Sequence, residues 1–341
     1  MFRSITILLI LISLVFSANA QAPDGYYDDA EGKKGEDLRV ALYNIIKDHD
    51  VQSYNSLWEH FQNTDKKSNG KVWDMYSDGA YEYTFEDDQC GEYNSEEDCY
   101  NREHSFPKSW FDDESPMNTD LFHLYPTDGY VNGKRGNNPY GEVDNPSWTS
   151  QNGGKLGDCS YPGYSGTVFE PIDEYKGDFA RSYFYMLTRY QPNISSWNSD
   201  MLSDDNFSDW AKKMLLEWDD ADPVSQKETD RNNAVYDIQN NRNPFIDHPE
   251  WVDDIWDYHA GIESNTTRNT QIWYSSNTLR WILSKETNNN TIEIYNIVGQ
   301  NVKNIKIESN TNQIELNLEE GIYFADFKSN KNRTVIKFIV E

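Results

Sequence analysis

The period of the hydrophobic residues changes near residue 270, and this change is the strongest constraint on the fold. Before it, apolar residues recur at helical spacing, and after it short runs such as TIEIYNIVGQNV alternate apolar and polar residues at strand period. The segments with helical spacing are residues 34–47, 178–190, 207–218 and 226–239. We therefore predict an α+β protein, with a helix-rich domain at residues 21–269 and a small all-β domain, a sandwich, at residues 270–341.

The composition excludes a disordered chain and places the negative charge in the first domain. Aromatic residues make up 14% of the 341 residues, so a packed core is feasible although the mean hydropathy is −0.86. The whole chain carries a net charge of −28, whereas residues 270–341 contain eight basic and eight acidic residues. Such acidity argues against nonspecific capture of a polyanion, unless basic side chains gather on one face and a divalent cation sits in the site.

The first twenty residues have the pattern of a cleaved export signal. One basic residue near the start precedes an apolar run from Ile5 to Phe16, and Ala18-Asn19-Ala20 forms a small-x-small cleavage site. A buried helix or an uncleaved anchor is the alternative, but the run is short for a membrane span, which needs about 20 apolar residues. We predict a signal peptide at residues 1–20, a secreted product and no stable membrane insertion.

The chain has three cysteines, Cys90, Cys99 and Cys159. Three single bridges are possible, and in an oxidising compartment the pair Cys90 and Cys99 would close a short loop. A metal site at this pair is disfavoured because no second Cys/His pair has zinc-site spacing. Cys90 and Cys99 are therefore the candidate disulfide, and Cys159 is left over.

The densest set of chemically active residues lies in three blocks. These are Asn101-Arg102-Glu103-His104-Ser105-Phe106-Pro107, Asp120-Leu121-Phe122-His123-Leu124-Tyr125-Pro126 and Val131-Asn132-Gly133-Lys134-Arg135-Gly136-Asn137. A histidine without context is more often structural, but His104 has a carboxylate and an arginine as neighbours. Hydrolysis of a phosphodiester needs a base with a pKa near neutrality and a hard cation with oxygen ligands. His104, Glu103 and Asn132 offer these groups.

The sequence around these blocks predicts a strand–strand–helix arrangement. A strand would end at His104, the chain would return through residues 123–125, and a short helix would begin at residues 126–128 with Thr127 as its N-cap. Glycines within that helix weaken its intrinsic propensity. In residues 81–86, YEYTFE, aromatic and polar side chains alternate, which predicts a further short strand.

These blocks resemble the bacterial endonuclease I family of secreted and periplasmic nucleases, which belongs to the His-Me finger (ββα-metal) group. Further matching blocks are Lys176-Gly177-Asp178-Phe179-Ala180-Arg181, Asp230-Arg231-Asn232-Asn233 and Asn241-Arg242-Asn243-Pro244-Phe245-Ile246-Asp247-His248-Pro249-Glu250. The resemblance spans about residues 35–260. It implies a helix-rich His-Me finger domain and a metal-dependent endonuclease that cuts DNA, and often RNA, with little sequence preference and leaves 5′-phosphate ends.

The resemblance also implies roles for single residues. His104 would activate water, while Glu103 and Asn132 would hold one Mg²⁺, with Mn²⁺ or Ca²⁺ as alternatives. An arginine would contact the scissile phosphate, because a guanidinium binds phosphate through two hydrogen bonds. The candidates for this catalytic arginine are, in order, Arg135, Arg181 and Arg231. The candidates for other substrate contacts are Arg102, Arg231 and Asn232.

Most of these polar residues also have a structural interpretation. An arginine in a polar stretch of sequence is about as often a solvated surface residue as a binding residue. An asparagine often caps a helix or forms a turn. The residues concerned are Arg231, Arg242, Asn232, Asn233 and Asn243. His123 is a candidate core residue rather than a base, and His248, next to Pro249, is expected to be structural.

The C-terminal segment resembles the sorting domain of type IX secretion substrates. The matching residues are Ile294-Tyr295-Asn296, Gly299-Gln300, Leu318 with Gly321-Ile322-Tyr323, and Thr334 with Lys337-Phe338-Ile339-Val340. The usual Pro-Asn-Pro opening is missing, so the start of the domain is not marked, and a carbohydrate-binding β-module is the rival interpretation. The resemblance implies export through the type IX machinery, passage across the outer membrane and then removal of the tail.

Two other enzyme classes are disfavoured, because the chain has neither a His-Glu-x-x-His motif nor a Gly-x-Ser-x-Gly elbow. The serious rival to a nuclease is non-enzymatic, a secreted aromatic-rich carbohydrate-binding or adhesion protein, which the acidity would suit better. The nuclease interpretation predicts DNA, and by resemblance RNA, as substrate. We expect the protein to be a monomer.

Overall fold

The structure is a computed structural model that describes residues 22–77, 81–257, 270–275, 278–283, 291–307, 313–328 and 333–340. The predicted signal peptide lies outside these residues. The chain divides into two compact units, Met1–Tyr258 and His259–Glu341. The predicted domain boundary near residue 270 stays a prediction, because residues 258–269 are not among those described.

Helices are the main regular secondary structure of the first unit. They are α1 (Gly35–Ile46), α2 (Leu57–Thr64), α3 (Gly129–Arg135), α4 (Lys176–Arg189), α5 (Asp209–Ala221), α6 (Gln226–Gln239), α7 (Pro244–Asp247) and α8 (Glu250–Trp256). Helices α1, α4, α5 and α6 fall on the four segments with helical spacing, so those four predictions are confirmed. Helix α6 begins with a capping box, in which Ser225 and Glu228 each bind the other's backbone N–H.

The strands of the first unit are short and antiparallel. They are β1 (Tyr100–His104), β2 (Leu124–Asp128), β3 (Pro146–Thr149), β4 (Lys155–Asp158), β5 (Thr167–Glu170), β6 (Leu202–Ser203) and β7 (Asn206–Phe207). The strand predicted over residues 81–86 is wrong, since the structure has no strand there. Tyr83 and Phe85 are buried and Tyr81 is exposed, so the alternation reflects burial of two of the three rings in an irregular segment.

Helix α4 lies at the centre of the first unit. All fourteen of its residues are buried, as expected of a helix enclosed on every side. Its aromatic residues pack against rings from other segments, for example Phe179 against Tyr125 and Phe184 against Trp256. A helix in this position carries its polar residues into the interior, where they need partners.

Strands β1 and β2 form a hairpin that leads directly into α3. The antiparallel register pairs Glu103 with Tyr125 and His104 with Leu124. The N-cap of α3 is Asp128, whose carboxylate accepts hydrogen bonds from the backbone N–H groups of Tyr130 and Val131. The predicted N-cap, Thr127, is wrong by one residue, because the side chain that accepts the first backbone N–H groups of the helix is that of Asp128.

The loop closed by Cys90 and Cys99 packs on α3 through Tyr93. A Cβ on Gly129 would lie 2.7 Å from the Tyr93 ring, and one on Gly133 would lie 2.5 Å from its hydroxyl. Contacts this short do not occur, so both positions need glycine to let the ring approach. The two residues that weaken helix propensity thus let the loop brace the helix.

The second unit contains two antiparallel sheets. Its strands are β8 (Thr270–Ser275), β9 (Thr278–Leu283), β10 (Thr291–Asn296), β11 (Asn301–Lys306), β12 (Gln313–Glu315), β13 (Gly321–Lys328) and β14 (Arg333–Val340). The strand orders are β11-β10-β13-β14 and β12-β9-β8. Leu279 and Trp281 from the second sheet share one hydrophobic core with Ile292, Ile294 and Phe327 from the first, and the strand character predicted for this segment is confirmed.

Candidate functional site

Strand β1 presents two adjacent polar residues, Glu103 and His104, on opposite faces, because successive side chains of a strand alternate. Glu103 lies against Tyr76 and Arg135, whereas His104 lies near the rings of Tyr54 and His123. Only 3% of Glu103 and 7% of His104 is exposed. Two ionisable groups are therefore held in a largely dry environment at the end of one strand.

The two carboxylate oxygens of Glu103 have different surroundings. Oε1 accepts hydrogen bonds from the Tyr76 hydroxyl at 2.7 Å and from Arg135 Nη1 at 2.5 Å. Oε2 has no hydrogen-bond partner within the described part of the chain. Burial raises the pKa of Glu103 above its ordinary value, and Arg135 and the Tyr76 hydrogen bond offset this effect only in part. One oxygen is thus fixed in place, and the other is left to bind a further group.

The hydrogen bond of His104 sets its tautomer. Nε2 lies 3.1 Å from the carbonyl oxygen of Asn118, and since a carbonyl oxygen only accepts, Nε2 carries the hydrogen. In the neutral ring Nδ1 is then unprotonated. Burial, followed by the proximity of His123, holds the pKa of His104 well below its ordinary value, so the neutral ring is the form present near neutral pH. His104 can accept a proton through Nδ1.

Asn132 reaches β1 from helix α3. Its Nδ2 donates a hydrogen bond to the carbonyl oxygen of Arg102 at 3.4 Å, which places the amide beside the residue that precedes Glu103. Its Oδ1 has no hydrogen-bond partner among the described residues. The strand–helix unit therefore brings a free amide oxygen to the same stretch of strand as the free Glu103 oxygen.

Carboxylate and amide oxygens are the types of ligand that a hard divalent cation such as Mg²⁺ prefers, and such a cation needs only one or two from the protein. Within the described ranges no group of three or more His, Cys, Asp or Glu side chains is arranged to hold a metal ion. A site of one carboxylate and one amide needs no such group.

Arg135, the first candidate for the phosphate contact, is not available for that role. Its side chain is fully buried and pairs with Glu103. It also donates to the carbonyl oxygens of His104 at 2.8 Å, Ser105 at 2.7 Å and Asn138 at 3.1 Å. The prediction is wrong because this guanidinium is saturated by the protein, and it holds Glu103 and the end of β1 in place.

Arg181 and Arg231 also form ion pairs inside the protein. Arg181 donates to both carboxylate oxygens of Glu228 and to Asp219 at 2.7 Å. Arg231 donates to Asp65 at 2.8 Å and to the Leu124 carbonyl oxygen. Both side chains are buried, at 1% and 5% exposure, so the predicted phosphate or substrate contacts of these two arginines are wrong.

The predicted substrate contact of Asn232 is wrong for a similar reason. Its amide makes two hydrogen bonds with the backbone of Asn243, as donor to the carbonyl and as acceptor from the N–H. Only 1% of Asn232 is exposed, and its structural interpretation is correct. It ties helix α6 to the start of α7.

The arginine surface that capture of a polyanion would require is not formed by the buried arginines. Arg39, Arg135, Arg181, Arg231 and Arg242 each pair with a carboxylate, in order Glu36, Glu103, Glu228, Asp65 and Asp247. Their positive charge is neutralised inside the domain. These five arginines therefore contribute little to the attraction of a nucleic acid.

Arg102 is the predicted site arginine that stays partly exposed. Its guanidinium carbon lies 3.8 Å from the Tyr54 ring centroid and 4.3 Å from that of Trp58, and Nη1 donates to the Tyr54 carbonyl oxygen at 2.8 Å. Nε has no hydrogen-bond partner, and no carboxylate pairs with this guanidinium within the described residues. Arg102 and His104, two residues apart, share one face of β1.

Two site residues, Tyr54 and Tyr76, were not predicted from the sequence. Tyr54 covers Arg102, and Tyr76 donates to Glu103 and lies 2.8 Å from the Tyr140 hydroxyl. Neither belongs to a motif with fixed spacing, and both come from segments about 25 to 50 positions before the strand they contact. No signal in the sequence marks them.

The polar groups behind the His104 face centre on Asp120, which is fully buried. Its Oδ2 accepts hydrogen bonds from the hydroxyls of Tyr185 and Tyr190, each at 2.8 Å. Burial opposes ionisation of Asp120. The attraction of the His49 and His123 imidazoles, together with hydrogen bonds from the Gln239 side chain and the Phe122 N–H, outweighs burial and lowers the pKa of Asp120 to about 2. His123 is buried beside His104, so its core interpretation is correct.

The depressed pKa of Asp120 predicts instability in acid. The ionised form is favoured in the folded state, so its contribution of about 2 kcal/mol is present above pH 4 and is lost as the pH falls through about 2. Asp120→Asn is expected to lower the free energy of unfolding by about 3 kcal/mol at pH 7, because Nδ2 cannot accept the tyrosine hydrogen bonds. Urea denaturation across this pH range measures both effects.

The control for this prediction is Asp158→Asn, at an exposed aspartate, which should change stability little at any pH. The destabilisation by Asp120→Asn should shrink as the pH falls from about 4 towards 2. A destabilisation that stays constant across this range would contradict the assignment of the low pKa to Asp120.

The predicted disulfide is confirmed, with Cys90 and Cys99 bonded and their Cα atoms 5.7 Å apart. Cys159 has a free thiol. The bridge closes the loop that carries Tyr93 onto α3, the helix of Asn132. No helix among the described residues is long and apolar enough to cross a bilayer.

Comparison with known proteins relates both parts of the chain to described families. The family described as Endonuclease I matches residues 34–250, and the family described as Secretion system C-terminal sorting domain matches residues 275–341. The chain is 36% identical over 259 residues to a protein named extracellular ribonuclease from Bacillus subtilis (strain 168), covering 72% of this chain and 83% of that protein.

Shorter similarities extend to other nucleases. The chain is 30% identical over 131 residues to a protein named endonuclease-1 from Buchnera aphidicola subsp. Acyrthosiphon pisum (strain APS), covering 38% of this chain and 45% of that protein. It is 26% identical over 138 residues to a protein named extracellular deoxyribonuclease from Aeromonas hydrophila, covering 40% of this chain and 52% of that protein. The chain belongs to the endonuclease I family and is a secreted nuclease with a C-terminal sorting domain.

Proposed function

We propose that the protein is a metal-dependent endonuclease that hydrolyses phosphodiester bonds of DNA and RNA, with little sequence preference, to 5′-phosphate products. In this proposal β1, β2 and α3 are the His-Me finger, with His104 as the base and Glu103 and Asn132 as the metal ligands. The observation that carries the proposal is the neutral His104 ring, whose Nε2 is bound to a backbone carbonyl and whose Nδ1 is free to accept a proton.

Hydrolysis requires that water lose a proton as it attacks phosphorus. His104 Nδ1 takes this proton, the water oxygen bonds to phosphorus, and the P–O3′ bond breaks. The products are a 5′-phosphate and a 3′-hydroxyl, and the leaving oxygen takes its proton from solvent. The Nε2 hydrogen bond to Asn118 keeps the ring in the tautomer that this step needs and stabilises the protonated form that follows.

Glu103 Oε2 and Asn132 Oδ1 would hold the divalent cation, Mg²⁺ in the first instance. When bound, the cation would neutralise charge that develops on the phosphate and on the leaving oxygen. Arg135 and Tyr76 both hold Glu103 Oε1, so the orientation of the carboxylate is fixed before any metal binds. Mn²⁺ and Ca²⁺ have the same preference for oxygen ligands and are the alternatives.

Arg102 replaces Arg135 as the arginine for the phosphate. It lies on the His104 face of β1, pairs with no carboxylate among the described residues, and is held flat between Tyr54 and Trp58. A guanidinium held in this way loses little conformational entropy when it binds a phosphate.

The relatives named ribonuclease and deoxyribonuclease give the reason to include both RNA and DNA as substrates. No observation in the structure favours the rival function, a non-catalytic carbohydrate-binding or adhesion protein. Type IX secretion machinery is the proposed partner of the tail, and the protein is proposed to be a monomer.

The test is cleavage of plasmid DNA and of a structured RNA by the purified protein in Mg²⁺. Both substrates should be cut, cleavage should stop in EDTA, and activity should return when Mg²⁺ is added in excess, because the oxygen ligands release and rebind the cation. Full activity in EDTA would remove the metal from the proposal, and no cleavage of either substrate in Mg²⁺, Mn²⁺ or Ca²⁺ would overturn it.

A further inference from the structure

Tyr54 is unusual among the aromatic residues of this unit, most of which are buried in the core. It lies in a turn just before α2, and 36% of its surface is exposed. Its only ring–ring contact among the described residues is with His104, and its hydroxyl has no hydrogen-bond partner there. A large aromatic side chain that stays exposed beside an active-site base needs a reason other than core packing.

The position of Tyr54 is fixed by Arg102. The guanidinium covers one face of the ring at 3.8 Å and holds the Tyr54 carbonyl oxygen through Nη1. The Trp58 ring also packs on this guanidinium, with its centroid 4.3 Å from the guanidinium carbon. The Tyr54 ring is therefore held in place by a cation–π contact and a backbone hydrogen bond before any ligand arrives.

The Tyr54 ring is also nearly parallel to the imidazole ring of His104. Its centroid lies 6.2 Å from that of His104, with 11° between the ring planes. A nucleobase is separated from its phosphate by one sugar, so a phosphate at His104 brings its own base into the region of Tyr54. The exposed part of Tyr54 presents an aromatic surface there, and stacking on aromatic side chains is how proteins bind unpaired bases without reading their sequence.

We propose that Tyr54 is a stacking platform for the nucleobase next to the scissile phosphate, and that the preferred substrate is single-stranded nucleic acid. This inference rests on the proposed function. In a duplex each base is already stacked on its neighbours and paired, so engaging Tyr54 requires the base to leave the helix at a cost of a few kcal/mol. The stacking also supplies binding that the acidic, arginine-poor surface does not.

The test compares two single-stranded oligomers of equal length, oligothymidylate and an abasic oligomer of tetrahydrofuran phosphates. They have the same backbone and differ only in the base. The parent protein should cleave the base-bearing oligomer with a kcat/KM at least about 10-fold higher. Tyr54→Ala should remove this preference, with a loss of about the same factor on oligothymidylate beyond any loss that it causes on the abasic oligomer through Arg102, whereas Tyr54→Phe should behave as the parent does.

Tyr43→Ala is the matched control, since Tyr43 makes a cation–π contact with Lys47 on α1, outside the site. It should leave both rates unchanged. Equal loss by Tyr54→Ala on both oligomers would overturn the platform, because the ring would then act only by supporting Arg102. No preference of the parent protein for the base-bearing oligomer would overturn it as well.

A binding measurement separates this inference from the proposed function. In the His104→Ala variant, fluorescence anisotropy with labelled oligomers in Ca²⁺ should show tighter binding of oligothymidylate than of the abasic oligomer and of the corresponding duplex. This preference should disappear when Tyr54→Ala is added. If the parent protein cleaves neither oligomer but the Tyr54-dependent preference persists, the catalytic proposal fails and the platform stands.

Discussion

Replacement of His104 by alanine is expected to lower kcat for cleavage of both RNA and DNA by about 10³-fold, with little change in KM. The loss falls on kcat because the imidazole removes a proton from water in the transition state and does not hold the substrate. The hairpin should stay intact, since Arg135 binds the backbone carbonyl of residue 104, which alanine retains. Initial rates on a fluorogenic oligonucleotide, with circular dichroism of the variant, measure the effect.

The control is His248→Ala. His248 is partly exposed and stacks on Trp251 with ring centroids 3.9 Å apart, away from the β1–α3 unit, so cleavage should be unchanged. A kcat for His104→Ala within about tenfold of the parent value would assign the proton removal to another group. In that case the tautomer set by Asn118 would have no catalytic meaning.

Local periodicity was sufficient to predict helices α1, α4, α5 and α6 of the first unit. The segment predicted at residues 226–239 is helix α6 from Gln226 to Gln239, where a capping residue marks the start and Ala234, Val235 and Ile238 recur at helical spacing. The same reasoning failed for residues 81–86, where alternation came from burial of Tyr83 and Phe85 without a neighbouring strand. A strand needs a partner, and the partner is not encoded in the local pattern.

The arginines could not be assigned from the sequence, because their partners are distant along the chain. Arg231 pairs with Asp65, which is 166 positions away, and Arg181 pairs with Glu228, which is 47 positions away. A motif shows that an arginine is present but does not show what neutralises it. Bidentate binding suits a carboxylate as well as a phosphate, so the same residue type serves both roles.

The adjacency of Glu103 and His104 in the sequence, by contrast, predicted their placement at one strand end, and the β1–β2–α3 order placed Asn132 beside that strand. Their catalytic roles remain predictions. The support for the site came only from the structure, since Tyr76 lies 27 positions from Glu103 and Tyr54 lies 50 positions before His104. Sequence reasoning therefore identified the reacting groups and missed the residues that position them.

Arg135 belongs to the site, but it binds Glu103 and the backbone and has no group left for a phosphate. It neutralises Glu103 on one oxygen and leaves the other free, and its second nitrogen binds the Ser105 carbonyl oxygen, which also accepts from Tyr183. A buried carboxylate without this partner would protonate and lose its value as a ligand. Arg135 thus acts through Glu103, as a positioning residue.

Replacement of Glu103 by glutamine is expected to have the second large effect on cleavage. Glutamine keeps the shape and can still accept from Arg135 and Tyr76 through its oxygen, but it places an NH₂ group where Oε2 lies. The Mg²⁺ concentration for half-maximal cleavage is expected to rise at least about 100-fold, with a fall in activity at any fixed Mg²⁺ concentration. Titrations of the cleavage rate with Mg²⁺ measure the shift, and the increase in melting temperature that Mg²⁺ gives the parent protein should disappear.

Glu170→Gln supplies the control, because Glu170 is also a buried glutamate, paired with Lys176 at 2.9 Å on strand β5, outside the site. It will cost stability, as loss of a buried ion pair does, yet its Mg²⁺ requirement should match that of the parent protein. If Glu103→Gln lowers stability to the same extent and leaves the Mg²⁺ requirement unchanged, Glu103 serves only as the counterion of Arg135. The cation would then have to bind elsewhere, and the free oxygen of Asn132 would have no partner in holding it.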